Sequence, residues 1–527
     1  MNKPTRLCLS DVQKLINDGK VALAKKTLPS IIKKQKLEVS DKIILANIYR
    51  QFLDINKALK ITGKEISLSE MKVVSNDLIA LQATLAFILS HIGALYSAER
   101  IFNRIDQVCE ELNKNITEFI PCYYYYKTSL YLHTLDYKKS LLYAEKSYQV
   151  LKDGSKYKKE FISTMACIAE SYFGLKKFNQ CQQAWDKLLS YLDNDLSNYS
   201  QWVFHRLVNL NLEIDDLTQA EKILNTKIIQ KENEKNKIPA LILICSLVYY
   251  TQTENYKYAS QLFNTALEKD IIQKFEIGEK QRLYYFAEKN PFLTIPLNIK
   301  IAIRAHLSFN YYCYILGRNY SNQKHIPFPN FKNLVYKKNN HNCWLIGNGK
   351  IDASNYEQQI KKFRESNQRM LDLYSGINLY ENEVINYLTP LQANALSAII
   401  GAGAFGVNKW NLIEFLYQED FFDPKAGDER LKNLIKTLKI IGFDIKRSKN
   451  YFSLEIDKNT SFVIPMNHTT RGTSAYLKSI TESFTRQDIE NIFSIKLSTA
   501  KLWIKNWNES GIIKPSGTGK NIKYMFI

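Results

Sequence analysis

Glycine and proline are scarce, with 19 Gly and 12 Pro in 527 residues. Each is roughly half its usual share. So few turn formers argue against an all-β chain and favour helices. Cysteine is thin and unpatterned. The 8 Cys, at positions 8, 109, 122, 167, 181, 245, 313 and 343, include no CxxC pair. That argues against a disulfide frame or a zinc site, and it points to reduced core thiols in a cytoplasmic protein. Histidine is also sparse: the 7 His are dispersed with no HExxH or HxH, so no metal is expected. Long apolar runs are missing. The longest, Ile238 to Tyr250, is too short to cross a bilayer. The stretch Leu7 to Leu15 is broken by Ser10, Asp11, Gln13 and Lys14, so no leader is expected either.

What is abundant is positive charge: 58 Lys and 14 Arg against 52 Asp plus Glu, a formal net charge of +20. The bias toward Lys, Asn, Ile and Tyr is also what AT-rich coding would produce. A basic total therefore says little; a basic stripe on one face marks a binding surface. At roughly 100–200 residues per domain, the length suggests several units.

The first half repeats. An apolar or aromatic residue is followed three positions on by a small one, and four further on usually by a large apolar one. The instances are Val21/Ala24/Leu28, Ile55/Ala58/Thr62, Leu95/Ala98/Phe102, Tyr137/Ser140/Ala144, Phe178/Cys181/Trp185, Leu217/Ala220/Leu224 and Tyr256/Ala259/Phe263. Their first members are 34, 40, 42, 41, 39 and 39 residues apart. Paired antiparallel helices need a small residue where they cross, and stacked pairs bury a shared face. The expectation is a helical solenoid over 1–316.

Two copies carry a family signature: Ala169-x-x-Tyr172…Phe178-x-x-Cys181-x-x-x-Trp185, and Ser246…Tyr256-x-x-Ala259-x-x-x-Phe263-x-x-Ala266. They resemble tetratricopeptide repeats, with a period near 40 rather than the usual ~34. The longer period is similar to the sensor arrays of several bacterial transcription activators, and the resemblance covers roughly residues 8–275. It implies a concave face that takes a protein, peptide or small-molecule effector. Tyr125, Glu170, His205 and Asn209 project onto that face as groove candidates.

Residues 317–375 read as a connector. Gly317 to Ser354 is irregular apart from one short hairpin, Lys337-Lys338-Asn-Asn-His341 is a solvated basic cluster, and Tyr356 to Tyr374 is expected to be a helix.

Residues 376–460 read as a small α+β unit. Thr389 caps a helix with Pro390 at its first position. A second helix buries Trp410, Ile413 and Leu416; a third, from Asp428 to Ile441, buries Leu431, Leu434, Ile435 and Leu438. Two alternating strands follow around a polar turn. With Leu388-Thr-Pro, Trp410…Leu416, Leu431…Leu438 and Ile445-Lys-Arg…Tyr451-Phe-Ser-Leu in this order, the segment resembles the winged-helix domain of OmpR/PhoB-type regulators. No receiver domain precedes it. The resemblance implies a third helix in the DNA major groove and a hairpin wing on the backbone. On the helix it points to Arg430, Lys432, Asn433, Lys436, Thr437 and Lys439, and on the wing to Lys446, Arg447, Lys449 and Asn450. Arg and Asn can each make two hydrogen bonds to one base, whereas Lys mainly meets phosphate.

Residues 461–527 repeat the order. A helix capped by Thr485 or Ser483 runs to Phe493; a second runs from Ser498 to Ser510 and is stopped by Gly511; then comes a hairpin with a Ser-Gly-Thr-Gly tip. This is similar to the winged helix-turn-helix of many bacterial regulators, which implies that Ser498, Thr499, Lys501, Leu502 and Lys505 face DNA, with Lys520 and Asn521 on the wing.

Other motifs are weaker. Gly401-Ala-Gly403-Ala-Phe-Gly406 fits GxGxxG without a strand–helix context, so no dinucleotide or other cofactor is expected. No nucleophile, base and oxyanion donor converge in the sequence, so no enzyme is expected. The expected fold class is mainly α: a solenoid of helix hairpins followed by two winged helices. The expected function is a cytoplasmic regulator that binds double-stranded DNA, with a homodimer compatible with it. The alternative is a scaffold or adaptor that uses the winged helices for protein contacts.

Overall fold

The computed structural model describes residues 8–225, 240–268 and 290–292, then 343–527, with short internal breaks. The 302–316 end of the expected solenoid and the Lys337–His341 cluster lie outside the described residues. The chain is mainly helical with small sheets toward the C-terminus, and it divides into two compact units. Unit 1 comprises 1–237, 324–329 and 417–432; unit 2 comprises 238–323, 330–416 and 433–527.

In unit 1, helices alternate as hairpins: α1 (Leu9–Asn17) with α2 (Val21–Ile32), then α3 (Val39–Gln51) with α4 (Ile55–Thr62). After the short α5 (Leu68–Val73) come α6 (Asn76–Ile92) with α7 (Leu95–Glu111). After α8 (Ile116–Phe119) come α9 (Tyr123–His133) with α10 (Tyr137–Leu151), α11 (Lys158–Gly174) with α12 (Phe178–Tyr191), and α13 (Leu196–Glu213) with α14 (Leu217–Leu224). Unit 2 contributes one more hairpin, α15 (Ala240–Gln252) with α16 (Tyr256–Glu268).

The second helix of every hairpin begins on the first residue of a sequence repeat: Val21, Ile55, Leu95, Tyr137, Phe178, Leu217 and Tyr256. The small residue is buried each time, as Ala24, Ala58, Ala98, Ser140, Cys181, Ala220 and Ala259. The reason is steric. At α10/α11 the helices approach closely enough for Ser140 Oγ and Ser171 Oγ to bond at 2.8 Å. A Cβ on Gly174 would lie 2.3 Å from the Tyr137 ring. The turns are alike too. Lys20, Asp54, Ala94, Asp136, Lys177 and Asp216 each donate their N–H to the carbonyl five residues back. Asp54, Asp136 and Asp216 then cap the next helix with their carboxylates.

Unit 1 holds a buried carboxylate of unusual reach. Glu65 accepts from Arg100 Nε at 2.9 Å and from Arg100 Nη2 and Arg104 Nη1. It also accepts the Phe422 N–H at 2.7 Å, and its own N–H donates to the Phe422 carbonyl at 2.9 Å. Gln82 pins the loop from beneath, bonding Lys64 O at 3.1 Å and Ile66 N at 3.3 Å. The segment 417–432 is thus fastened to α6 and α7 within unit 1.

Unit 2 is built on a six-stranded sheet in the order β2-β1-β9-β3-β4-β5. Its strands are β1 (Cys343–Gly347), β2 (Lys350–Ser354), β3 (Arg369–Asp372), β4 (Ile377–Tyr380), β5 (Glu383–Tyr387) and β9 (Thr460–Pro465). β9 runs parallel to β3 and antiparallel to β1. The sheet departs from the sequence expectation. The β1–β2 hairpin was foreseen, but Tyr356 to Tyr374 is not one helix: Tyr356, Ile360, Lys361 and Phe363 are helical, and 369–372 is a strand. Met370 and Leu371 are buried between strands, so pairing outweighs local helical periodicity. Asp372, fully buried, caps the β3–β4 turn by accepting the Tyr374 and Ser375 N–H groups at 3.0 and 3.2 Å. The Tyr356 and Ser375 hydroxyls donate to the same carboxylate.

Candidate functional site

Two segments share one element order. The first is α17 (Pro390–Gly401), β6 (Val407–Asn408), α18 (Lys409–Tyr417), α19 (Pro424–Ile440), β7 (Ile445–Ser448) and β8 (Tyr451–Leu454). The second is α20 (Thr473–Ile480), β10 (Ser483–Phe484), α21 (Arg486–Phe493), α22 (Leu497–Glu509), β11 (Ile513–Ser516) and β12 (Lys523–Phe526). In both, the short strand after the first helix pairs with the last strand, giving sheets β6-β8-β7 and β10-β12-β11.

Local chemistry sets these elements. Thr389 and Gln392 form a reciprocal cap at Pro390, at 3.4 and 2.8 Å. Thr485, not Ser483, caps α21: its Oγ1 accepts the Asp488 N–H at 3.3 Å, and Asp488 Oδ2 accepts the Thr485 N–H at 2.6 Å. Gly511 stops α22 with φ 67°. Gly406 has a different role from a phosphate loop. Its φ is +66°, and a Cβ there would lie 2.5 Å from the Phe452 carbonyl oxygen, so it lets β6 lie against β8. Positions 402–405 of that motif lie outside the described residues.

On α19, Leu431, Leu434, Ile435 and Leu438 are buried, while Arg430, Lys432, Asn433, Lys436, Thr437 and Lys439 are all exposed. The helix starts at Pro424, a turn earlier than the expected Asp428. Lys432 pairs with Asp428 at 2.8 Å, and Arg430 lies 5.9 Å from the Tyr417 ring centroid. On β7, Lys446 and Arg447 are exposed. Asn450 is half-buried in the β7–β8 turn, where its carbonyl accepts the Lys409 N–H at 2.6 Å. On α22, Ser498, Lys501, Leu502 and Lys505 are exposed and Thr499 is half-buried; Ala500, Trp503, Ile504 and Trp507 turn inward. Lys449, Lys520 and Asn521 lie outside the described residues.

The four groove candidates separate. Tyr125 is half-buried and bonds Ser163, and burial holds its phenol far above the ordinary range. Glu170 pairs with Arg206 Nε at 3.1 Å. His205 and Asn209 are buried and 3.1 Å apart through His205 Nε2 and Asn209 Nδ2, so they lie in the core rather than on an open face.

Sequence reasoning missed a second cluster around Tyr125. Arg50 of α3 lies over the Phe87 ring at 4.7 Å. Phe87 stacks on Tyr126 at 4.2 Å and meets His91 edge-on at 4.4 Å, and His91 meets His133 at 5.4 Å. The available signal was arginine itself. In a chain with 58 Lys and 14 Arg, Arg50, Arg100 and Arg104 stand where a planar or forked cation is needed. Among the described residues, no group of three His, Cys, Asp or Glu could hold a metal, and no helix is long and apolar enough to cross a membrane.

No family model matches the chain, and no curated protein matches it in sequence.

Proposed function

We propose that the chain is a DNA-binding transcriptional regulator: two winged-helix segments meet duplex DNA, and a tetratricopeptide-like array of helix hairpins receives an effector. One observation carries the reading. The element order helix, short strand, helix, helix, hairpin occurs twice, and the third helix of the first copy turns six exposed polar and basic side chains outward over a leucine-rich inner face. A helix fits the major groove, and such a face supplies both base-reading and phosphate-neutralising groups. In this reading Arg430 and Asn433 read bases, while Lys436, Lys439, Lys446, Arg447, Lys501 and Lys505 meet phosphates. The test is selection of bound duplexes from a random pool by the full chain at stated salt. A shared sequence motif is expected. Asn433→Ala should then cost roughly 1–3 kcal/mol on the selected site and relax the preference at one position. Recovery of unenriched sequence would contradict it.

The adaptor reading draws on one feature. Leu497 and Leu502 on α22 are 44% and 55% exposed, apolar groups on the face the DNA reading needs. If that segment binds protein, L497S/L502S abolishes partner retention.

A further inference from the structure

Glu65 is a charged side chain in a place where an apolar one would serve stability as well. Its carboxylate is fully enclosed, and its partners Arg100 and Arg104 are half-buried. Taking such a trio out of water is costly, and apolar residues of similar volume often replace one with no loss of stability. What an ionised carboxylate adds is direction, because its hydrogen bonds fix the groups that donate to it.

Those donors come from two places in the chain. α7 supplies Arg100 and Arg104. The other donor is the Phe422 N–H, while the Phe422 carbonyl accepts the Glu65 N–H in return. Gln82 of α6 bonds the residues on either side of Glu65, which holds the carboxylate in place along its loop.

Phe422 stands directly before a helix cap. Asp423 Oδ1 accepts the Lys425 and Ala426 N–H groups at 2.9 and 3.0 Å, and the Asp423 carbonyl accepts the Gly427 N–H at 3.0 Å. α19 begins at Pro424. A run of bonds therefore leads from α6 and α7 through Glu65 and Phe422 into the first turn of α19. Pro424 has no N–H, so a chain slipped by two residues could not repeat the bond to Glu65. Arg430 and Lys432 are exposed within the first three turns of this helix, in the part that belongs to unit 1. The leucine stripe sets which face of α19 turns outward. The Glu65 contact sets where the backbone enters the helix. That matters most for base reading: a hydrogen bond works over a range of only about 0.5 Å, whereas attraction to phosphate falls off gradually with distance.

We propose that Glu65 is a positioning residue for DNA reading: through Phe422 and the Asp423 cap it sets the first turns of α19 so that Arg430 and Asn433 reach base edges. This role rests on the regulator reading, and in it Glu65 itself touches no DNA.

The test measures anisotropy of the full chain with two duplexes at one stated salt, one carrying the motif selected from the random pool and one of scrambled sequence. Glu65→Gln leaves one acceptor oxygen for the donors that two oxygens serve in the wild type. Every Lys and Arg remains, so affinity for the scrambled duplex should stay within about 2-fold of wild type. Affinity for the selected duplex should fall at least about 5-fold. Gln82→Met unfastens the Glu65 loop and changes no charge, and it should lower the same ratio. Gly174→Ala is the control. It destabilises unit 1 away from this contact, and a chain that is merely less folded loses both duplexes in the same proportion. A wild-type chain that prefers neither duplex overturns the regulator reading, and the positioning role with it. A wild-type preference that Glu65→Gln and Gln82→Met both retain overturns the positioning role alone, and so does an equal loss on both duplexes.

Discussion

Replacing Glu65 with alanine should loosen unit 1 and free the 417–432 segment. The carboxylate is fully enclosed and takes hydrogen bonds from Arg100, Arg104 and the Phe422 N–H. Burial alone would lower the Arg100 pKa, but hydrogen bonding to Glu65 and its charge outweigh that and hold it above the ordinary value. Removing the anion takes from two guanidiniums and one amide the acceptor they share. Breaking a buried pair from one side costs about 3–5 kcal/mol. The Arg100 and Arg104 side chains are 14% and 19% exposed and can turn partly toward water, which favours the lower end, about 3 kcal/mol. For a unit of this size that is a fall in Tm of roughly 6–12 °C. Glu65→Gln keeps the shape and one acceptor and should fall roughly halfway. The assay is thermal unfolding together with hydrogen exchange read at the Phe422 amide, which should lose protection in both variants. A Tm change under about 1 °C, or unchanged Phe422 exchange, would refute the reasoning.

Three further outcomes are expected. Gly174→Ala drives a methyl into the buried Tyr137 ring and should cost about 1–3 kcal/mol in chemical denaturation, whereas Gly63→Ala, with open space at the Cβ, should show strain from its φ of +78° alone. Asp372 has its pKa pushed up to about 6, chiefly by burial, against an ordinary 3.8. The folded chain therefore holds the extra proton between those values, and this group's contribution is greatest at low pH and is lost as pH rises through about 6. Asp372→Asn should remove roughly 3 kcal/mol of that slope between about pH 4 and 6, and a wild-type pH profile in the variant would contradict the assignment. Trp503→Ala in the core shared by the sheet and α22 should cost about 3–5 kcal/mol and expose unit 2 to proteolysis.

The repeat phase was legible because a helix crossing tolerates only a small residue. Ala24, Ala58 and Ser140 mark the second helix of each hairpin without help from distant parts of the chain. The α19 face was legible for a similar reason: Leu431, Leu434, Ile435 and Leu438 keep one helical stripe, which settles where Arg430 and Lys436 must point. The six-stranded sheet was not legible. Arg369–Asp372 is four residues long and pairs in parallel with Thr460–Pro465, a partner some ninety residues away that no local pattern names. His205 and Asn209 were misjudged because helical projection gives a direction and not a depth; here they bond each other in the core. Arg50 with Phe87, and Glu65 with Phe422, escaped because folding alone brings those pairs together.

The most direct test of the account is the salt dependence of duplex DNA affinity for the full chain, followed by anisotropy. If about four of the exposed basic side chains on α19, β7 and α22 meet phosphates, affinity should fall on the order of 100-fold between about 50 and 200 mM salt. Lys436→Ala should then reduce the log–log slope by about one. Binding that is undetectable at low salt, or that shows no salt dependence, would contradict a DNA-binding role.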